Sequence, residues 1–304
     1  MIPIIHIGFN KAGSTTLQRA LFARHPQIAN LGEGEAGKGR EPNAEKAMFN
    51  AMKSCHRDPA RRQPFDLENS RRLWHKALAK IEPGKIPVFS KESLIRADYY
   101  RSPGDNCLPE RLHALIGPAR IVIMARHQIR LLESLYITRT KGHSYLCPEQ
   151  WFEANQGGWA HMYRYHAVAE SYAKAFGRDN IGVFLLEDLI KDVDSFARRL
   201  CDFIGVDAEK GSQLLKGQHE NVRISQRVHV YSKLRKKLGP DIRLSNYAPR
   251  PIRDAFARFI SGGRPARVEL PARWVAEMES YYREDNRQLA AEWGLPLEKY
   301  GYPL

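Results

Sequence analysis

Short runs of β-branched and apolar residues alternate along this chain with longer stretches whose apolar positions recur at helical spacing. Strands are predicted at "IPIIHIG" (2–8), "QIANLG" (27–32), "KIPVFS" (85–90), "ARIVIMA" (119–125) and "NIGVFLL" (180–186). Helices are predicted over 14–24, 66–81, 109–116, 127–141, 159–176 and 192–204. In "SFARRLCDFIG" the face Phe196, Leu200 and Phe203/Ile204 is apolar, and Gly205 stops the helix. Strand–helix alternation of this kind predicts an α/β fold, a P-loop-like central parallel sheet flanked by helices.

Two stretches break the pattern. Segment 33–65 is rich in Gly, Pro and charge ("GEGEAGKGREPN") and reads as a loop or lid. From about 207 onward no strand pattern appears. Arg250-Pro251 reads as a helix start, with Ile252, Phe256 and Phe259 on one face. The expectation is a single domain over 1–304, with a nucleotide-binding core at 1–206 and a mostly helical, basic extension at 207–304 packed on it. Ligands of open parallel sheets bind beyond the carboxyl ends of the strands. The residues that follow each strand are therefore the candidate site: the 9–16 loop, Glu33, Ser90-Lys91-Glu92, Arg126-His127 and Glu187-Asp188.

Composition changes little in that picture, and charge changes more. At 304 residues, 43% hydrophobic and 27% charged, the chain can bury a large core. It has no apolar run of the length a membrane span needs, and "MIPIIHIGF" is too short for a secretory leader, so a cytoplasmic location is expected. Cys55, Cys107, Cys147 and Cys201 form no C-x-x-C pair, which predicts incidental thiols rather than zinc or a disulfide framework. The net charge of +14 is unevenly placed: between Arg223 and Arg267 twelve Lys and Arg face only Asp241 and Asp254, a local net of +10. Such a stretch suits an anionic ligand or an acidic membrane surface, and equally a merely solvated basic face.

The chemistry starts at "IPIIHIGFNKAGSTTLQRALF". Gly8 and Gly13 have P-loop spacing, yet Lys11 precedes the second glycine instead of following it. A loop of this kind opening a helix offers backbone N–H groups, a positive dipole end and hydroxyl donors, here Asn10 to Thr16. The bland alternative is a helix capped by Ser14 beside an incidental lysine. A second constellation, "IVIMARHQIRLLESLY", sets Arg126 after a strand and Ser134 eight residues on, two turns along a helix, where both could grip another phosphate. An arginine after a strand is also commonly just a surface residue.

Together these two elements resemble the PAPS-dependent sulfotransferase family, in its bacterial carbohydrate- and lipid-directed form; PAPS is 3′-phosphoadenosine 5′-phosphosulfate. The motifs "FNKAGSTTLQ" and "ARHQIRLLESLY", and the downstream "VFLLEDLIKDVDSFARRLCDFIGV", are similar to that family's over residues 3–206. The resemblance implies that Asn10, Lys11, Ala12, Gly13, Ser14, Thr15 and Thr16 hold the 5′-phosphate. Lys11 would stabilise charge on the leaving phosphate. Arg126 and Ser134 would hold the 3′-phosphate, with Arg223 of "ENVRIS" as a third contact. The product is 3′,5′-ADP, and no metal is implied.

Transfer to a hydroxyl needs a proton acceptor. Family members carry it either after the strand before the 3′-phosphate element, which gives Glu92, or after the second strand, which gives Glu33 or Glu35. His127 is a further candidate base but reads first as a helix-start residue beside Arg126, and Glu187-Asp188 read as a structural turn. The implied acceptor is a saccharide or glycolipid hydroxyl, less readily an amine. Trp151, Trp159, Tyr145 and Tyr163 are either platforms for sugar rings or core aromatics. The basic 223–267 segment could also meet a membrane surface. Two readings remain beside this one. A P-loop kinase would use ATP and magnesium with Asp188 as metal ligand, but its Lys-Ser/Thr order is missing. A nucleic-acid-binding protein would account for the charge, but not for the two phosphate elements, and no nucleic-acid partner is expected.

Overall fold

The computed structural model describes residues 1–33, 41–56, 58–95, 107–139, 147–151, 153, 161–217, 225–228, 230–231, 249–264, 268 and 270–304. Five strands, β1 (Ile4–Gly8), β2 (Ile28–Asn30), β3 (Ile86–Ser90), β4 (Arg120–Ala125) and β5 (Ile181–Leu185), form one parallel sheet in the order β2-β3-β1-β4-β5. The central strand β1 is buried at every position, as a parallel strand covered on both faces must be. Its register sets His6 opposite Ser90 on β3 and Gly8 opposite Met124 on β4. The carboxyl ends of β3, β1 and β4 therefore open side by side.

By residue contacts the chain divides into two compact units. The first holds Met1–His127, Gly157–Glu220 and Glu279–Leu304; the second holds Gln128–Gln156 and Asn221–Met278. The sequence places one boundary near 206, whereas this division returns the last residues to the sheet-bearing unit. Asp285 is the physical reason for that return. Its carboxylate, on the helix Ala272–Trp293, accepts from the N–H groups of His166 (2.9 Å) and Ala167 (3.1 Å) and so caps the helix Tyr165–Phe176.

The helices of the first unit follow the apolar periodicity. After β1, α1 (Ser14–Thr16) runs directly into a π-helical stretch, Leu17–Phe22. The stretch expected as a loop at 33–65 instead contains α2 (Pro42–Ser54), with Pro42 in its first turn and Glu41 accepting from the Asn43 N–H as its cap. Ala44, Ala47, Met48, Ala51 and Met52 form its buried face. Then come α3 (Leu67–Leu78), α4 (Leu108–Ile116), α6 (Tyr165–Phe176), α7 (Leu186–Lys191), α8 (Val193–Ile204) and α9 (Ala208–Leu215). The Asp192 cap and the left-handed Gly205 delimit α8 as its sequence predicts. In α9, Gly211 lies against Cys201 of α8, with no room for a side chain.

The second unit contains α5 (Gln128–Arg139), α10 (Arg250–Ser261) and the first turns of α11 (Ala272–Trp293). No helix among the described residues is long and apolar enough to cross a membrane. The expectation of four separate thiols is corrected. Cys55, at the end of α2, and Cys107, at the start of α4, are joined as a disulfide with Cα atoms 5.9 Å apart, while Cys147 and Cys201 are free. Two helix ends far apart in sequence meet here, which spacing alone does not reveal.

Candidate active site

The first unit gathers the strand-end residues around the loop Phe9–Gly13. Gly13 sits at φ 90°, and Lys11 is in the left-handed region at φ 68°. Gly13 precedes α1 without any side-chain cap. Ala12 donates to the Phe9 carbonyl (3.1 Å), and the Thr16 N–H returns to the Gly13 carbonyl (3.0 Å). Ser14 points its hydroxyl inward, to the Phe9 carbonyl at 3.4 Å, rather than capping α1. Among the described residues, the N–H groups of Gly13, Ser14 and Thr15 therefore remain unclaimed at the positive end of a helix, where an anion fits. Gly8 is needed here for space, because a Cβ on it would stand 2.0 Å from the Ser14 Oγ.

Arg126 follows β4 and turns toward this loop, its guanidinium donating to the Lys11 carbonyl at 2.8 Å. Its own peptide is held by Tyr165, whose hydroxyl donates to the Arg126 carbonyl at 2.6 Å. Ser134 lies on α5 in the second unit. Glu35 and Arg223 lie outside the described residues, as do Tyr145 and Trp159. Trp151 and Tyr163 are buried ring against ring, Trp151 with Tyr136 and Tyr163 with Phe9, so neither is an exposed sugar platform.

The acidic residues separate by their partners. Lys91, nearly buried after β3, donates to Glu33 (3.1 Å) and to Glu45 of α2 (2.8 Å), and its ammonium stands 4.9 Å from the Phe49 ring. Gly32 lets the chain pass against the Ser90 backbone, so that the Glu33 N–H reaches the Ser90 carbonyl at 3.0 Å. Glu92 is different. Burial, first, and then the charge of Glu33 push its carboxyl up to about 7, with Lys11 pulling it back. Beneath the loop, His6 is wholly buried and held neutral, its pKa lowered to about 3 by that burial. It shares a hydrogen bond with Ser90 (2.7 Å), which Gln18 also supports (3.0 Å).

Glu187 and Asp188 serve the fold. Glu187 accepts from the His127 N–H (3.0 Å) and the Tyr302 hydroxyl (3.0 Å); Asp188 is bound by Arg199 (2.7 Å) and by the Tyr300 hydroxyl. His127 donates to the Gly301 carbonyl at 2.7 Å. All three fasten the chain's end, which leaves Asp188 committed elsewhere than to a metal. Sequence reasoning missed Glu45, because its helix lies in a stretch whose composition reads as loop. It also did not foresee that Lys91 is sequestered; a lysine directly after a buried strand is the signal that was available.

A family model described as "Sulfotransferase family" matches residues 3–210. No curated protein matches the chain. Among solved structures it is similar to a sulfotransferase from Alicyclobacillus acidocaldarius at 14% identity, covering 96% of this chain and 95% of that one, with a TM-score of 0.53. At that identity the likeness is one of fold. The sulfotransferase domain of the Synechococcus PCC 7002 olefin synthase (15% identity, 97% and 94% covered) and that of the curacin biosynthetic pathway (15%, 97% and 98%) have TM-scores of 0.44 and 0.47, too low to argue from.

Proposed function

We propose a residue-level reaction for this chain, which belongs to the sulfotransferase family, whose enzymes draw on PAPS: transfer of a sulfuryl group to an acceptor hydroxyl, with Glu92 as proton acceptor and Lys11 as the cation beside the leaving phosphate. The residues fit such a donor. Among the described residues Gly13, Ser14 and Thr15 offer unclaimed N–H groups at a helix start, and the left-handed Lys11 belongs to the same loop. Bound there, the donor supplies the sulfuryl group and departs as 3′,5′-ADP. Asn10, Ala12 and Thr16 complete the 5′-phosphate loop, and Arg126 and Ser134 take the 3′-phosphate.

The observation that carries this reading is the state of Glu92. A carboxylate poised near neutral pH, electrostatically coupled to the loop lysine, matches what a general base requires. Glu33 and Glu35 stand behind it as alternative bases. The acceptor we favour is a saccharide or glycolipid hydroxyl. The kinase alternative lacks its acid, since Asp188 is held by Arg199 and Tyr300.

The test is binding followed by transfer. In thermal-shift and calorimetric titrations without metal, 3′,5′-ADP should bind more tightly than ADP or ATP. Arg126→Ala should weaken 3′,5′-ADP roughly 10- to 150-fold, the loss of one charge-assisted contact. Labelled sulfate should move from PAPS to members of a glycan and glycolipid panel in the presence of EDTA. Equal affinity for ADP and 3′,5′-ADP would overturn the roles of Arg126 and Ser134. Magnesium-dependent transfer from ATP would overturn the reaction.

A further inference from the structure

α10 carries a feature that sulfuryl transfer does not use. Ile252, Phe256 and Phe259 are 59%, 41% and 60% exposed. At about 100° per residue they fall within roughly 60° of arc, a continuous apolar stripe on the solvent side of the helix. Arg253 and Arg258 flank the stripe on either side, Arg250 lies in the first turn, and the helix carries a single acid, Asp254. Arg227 lies over the Phe259 ring at 4.3 Å and donates to the Phe259 carbonyl at 3.0 Å, adding another cation to the same edge. Tyr231 meets Phe256 edge-on at 5.3 Å. Ser225 anchors the segment from below by donating to the Ile260 carbonyl.

Exposed aromatic residues in a row are unfavourable in water, and a monomeric protein seldom keeps such a stripe uncovered. What covers it must accept both a large apolar surface and a dense positive rim. A second copy of this chain would bring the same arginines against these, in a segment whose net charge from 223 to 267 is +10. A nucleic acid would satisfy the arginines and leave the rings wet. An anionic bilayer satisfies both, because rings settle at the headgroup–acyl boundary while arginines extend to lipid phosphates.

We infer that α10 docks this protein on an anionic membrane surface, lying in the plane of the headgroups with Ile252, Phe256 and Phe259 inserted and Arg227, Arg253 and Arg258 against lipid phosphates. The inference does not depend on the identity of the sulfuryl acceptor.

The full chain is floated with phosphatidylcholine vesicles that contain or lack phosphatidylglycerol. Binding to the anionic vesicles only is expected, weakening as salt rises. Phe256→Ser and Phe259→Ser should each lower the partition coefficient about tenfold or more. Arg253→Gln and Arg258→Gln should each lower it roughly fivefold. Ile252→Ser, at the other end of the stripe, serves where a phenylalanine variant loses its fold, and circular dichroism identifies such a loss. Absence of binding to anionic vesicles overturns the inference. So does binding that survives the stripe substitutions, which would mark nonspecific attraction to the basic segment. Self-association abolished by the same substitutions, with no vesicle binding, assigns the stripe to a second copy and overturns it too.

Discussion

Glu92→Gln separates the electrostatic cost of this residue from its chemical use. In the fold the Glu92 carboxyl is raised from 4.5 to about 7, by burial first and by Glu33 second. Between those values the native state keeps a proton that the unfolded chain has released. Stability therefore falls as pH rises through this window and levels off above it. The shift corresponds to about 3 kcal/mol of native-state penalty once Glu92 is fully ionised. Glutamine keeps the shape and never ionises, so the variant should be more stable than the parent by up to about 3 kcal/mol at about pH 8, and equal to it near pH 4. Urea unfolding of both proteins across that range measures the difference. Turnover should move the other way, dropping about 10²- to 10⁴-fold, with 3′,5′-ADP affinity little changed. The parent's kcat/KM should fall below about pH 7, as its base is protonated. Two results would refute the reasoning: parallel stability–pH curves for parent and variant, or near-normal turnover in Glu92→Gln with collapse in Glu33→Gln.

Three further expectations concern the frame around the site. Gly32→Ala places a Cβ 2.4 Å from the Ser90 backbone N and O, so β2 must part from β3; a loss of about 3 kcal/mol or more is expected in denaturant unfolding, and a loss under about 1 would be inconsistent with this packing. Lys91→Met removes the shared cation of Glu33 and Glu45 and should cost about 1–3 kcal/mol, read in the same assay, since the lysine is buried while both carboxylates keep some water. Without reductant the denatured chain should show two reactive thiols, Cys147 and Cys201, and Cys55→Ser should lose about 2–4 kcal/mol through the 52-residue separation it no longer closes; four reactive thiols would contradict the linkage.

The sheet was legible because its strands are short, mostly apolar runs set between helical stretches, the pattern of parallel strands covered on both faces. The turn after β1 was legible because glycine spacing and a left-handed backbone are linked: Gly13 adopts the φ its place in the sequence pattern demands. α2 was missed although its apolar positions recur at helical spacing, because the Gly- and charge-rich stretch before it dominated the composition. With α2 went Glu45, and with Glu45 went the reason that Lys91 is buried. The Cys55–Cys107 pairing and the return of the chain's end to the sheet depend on contacts between distant segments, such as Asp285 with His166 and Glu187 with Tyr302. Local periodicity carries no record of these.

Within the proposed reaction, the same long-range contacts favour Glu92 over Glu33 as the base. Glu33 and Glu92 each stand just past a strand end, and the sequence prefers Glu92 because Glu33 begins a predicted loop; chain position does not say which carboxylate is already engaged. Lys91 does. It donates to Glu33 at 3.1 Å and so engages that carboxylate in a charge-assisted hydrogen bond. Glu92 differs: no hydrogen bond to its side chain exists among the described residues, and its protonation relieves repulsion from Glu33 and the penalty of burial. The charge of Glu33 thus raises the basicity of its neighbour. Lys11 opposes that rise and keeps Glu92 near neutrality instead of far above it. A base must be ionised before reaction and hold a proton after it, and a pKa near 7 meets both needs. In the proposed reaction the two lysines therefore divide the work: Lys91 engages Glu33, whose charge tunes Glu92, and Lys11 limits that effect from the loop after β1.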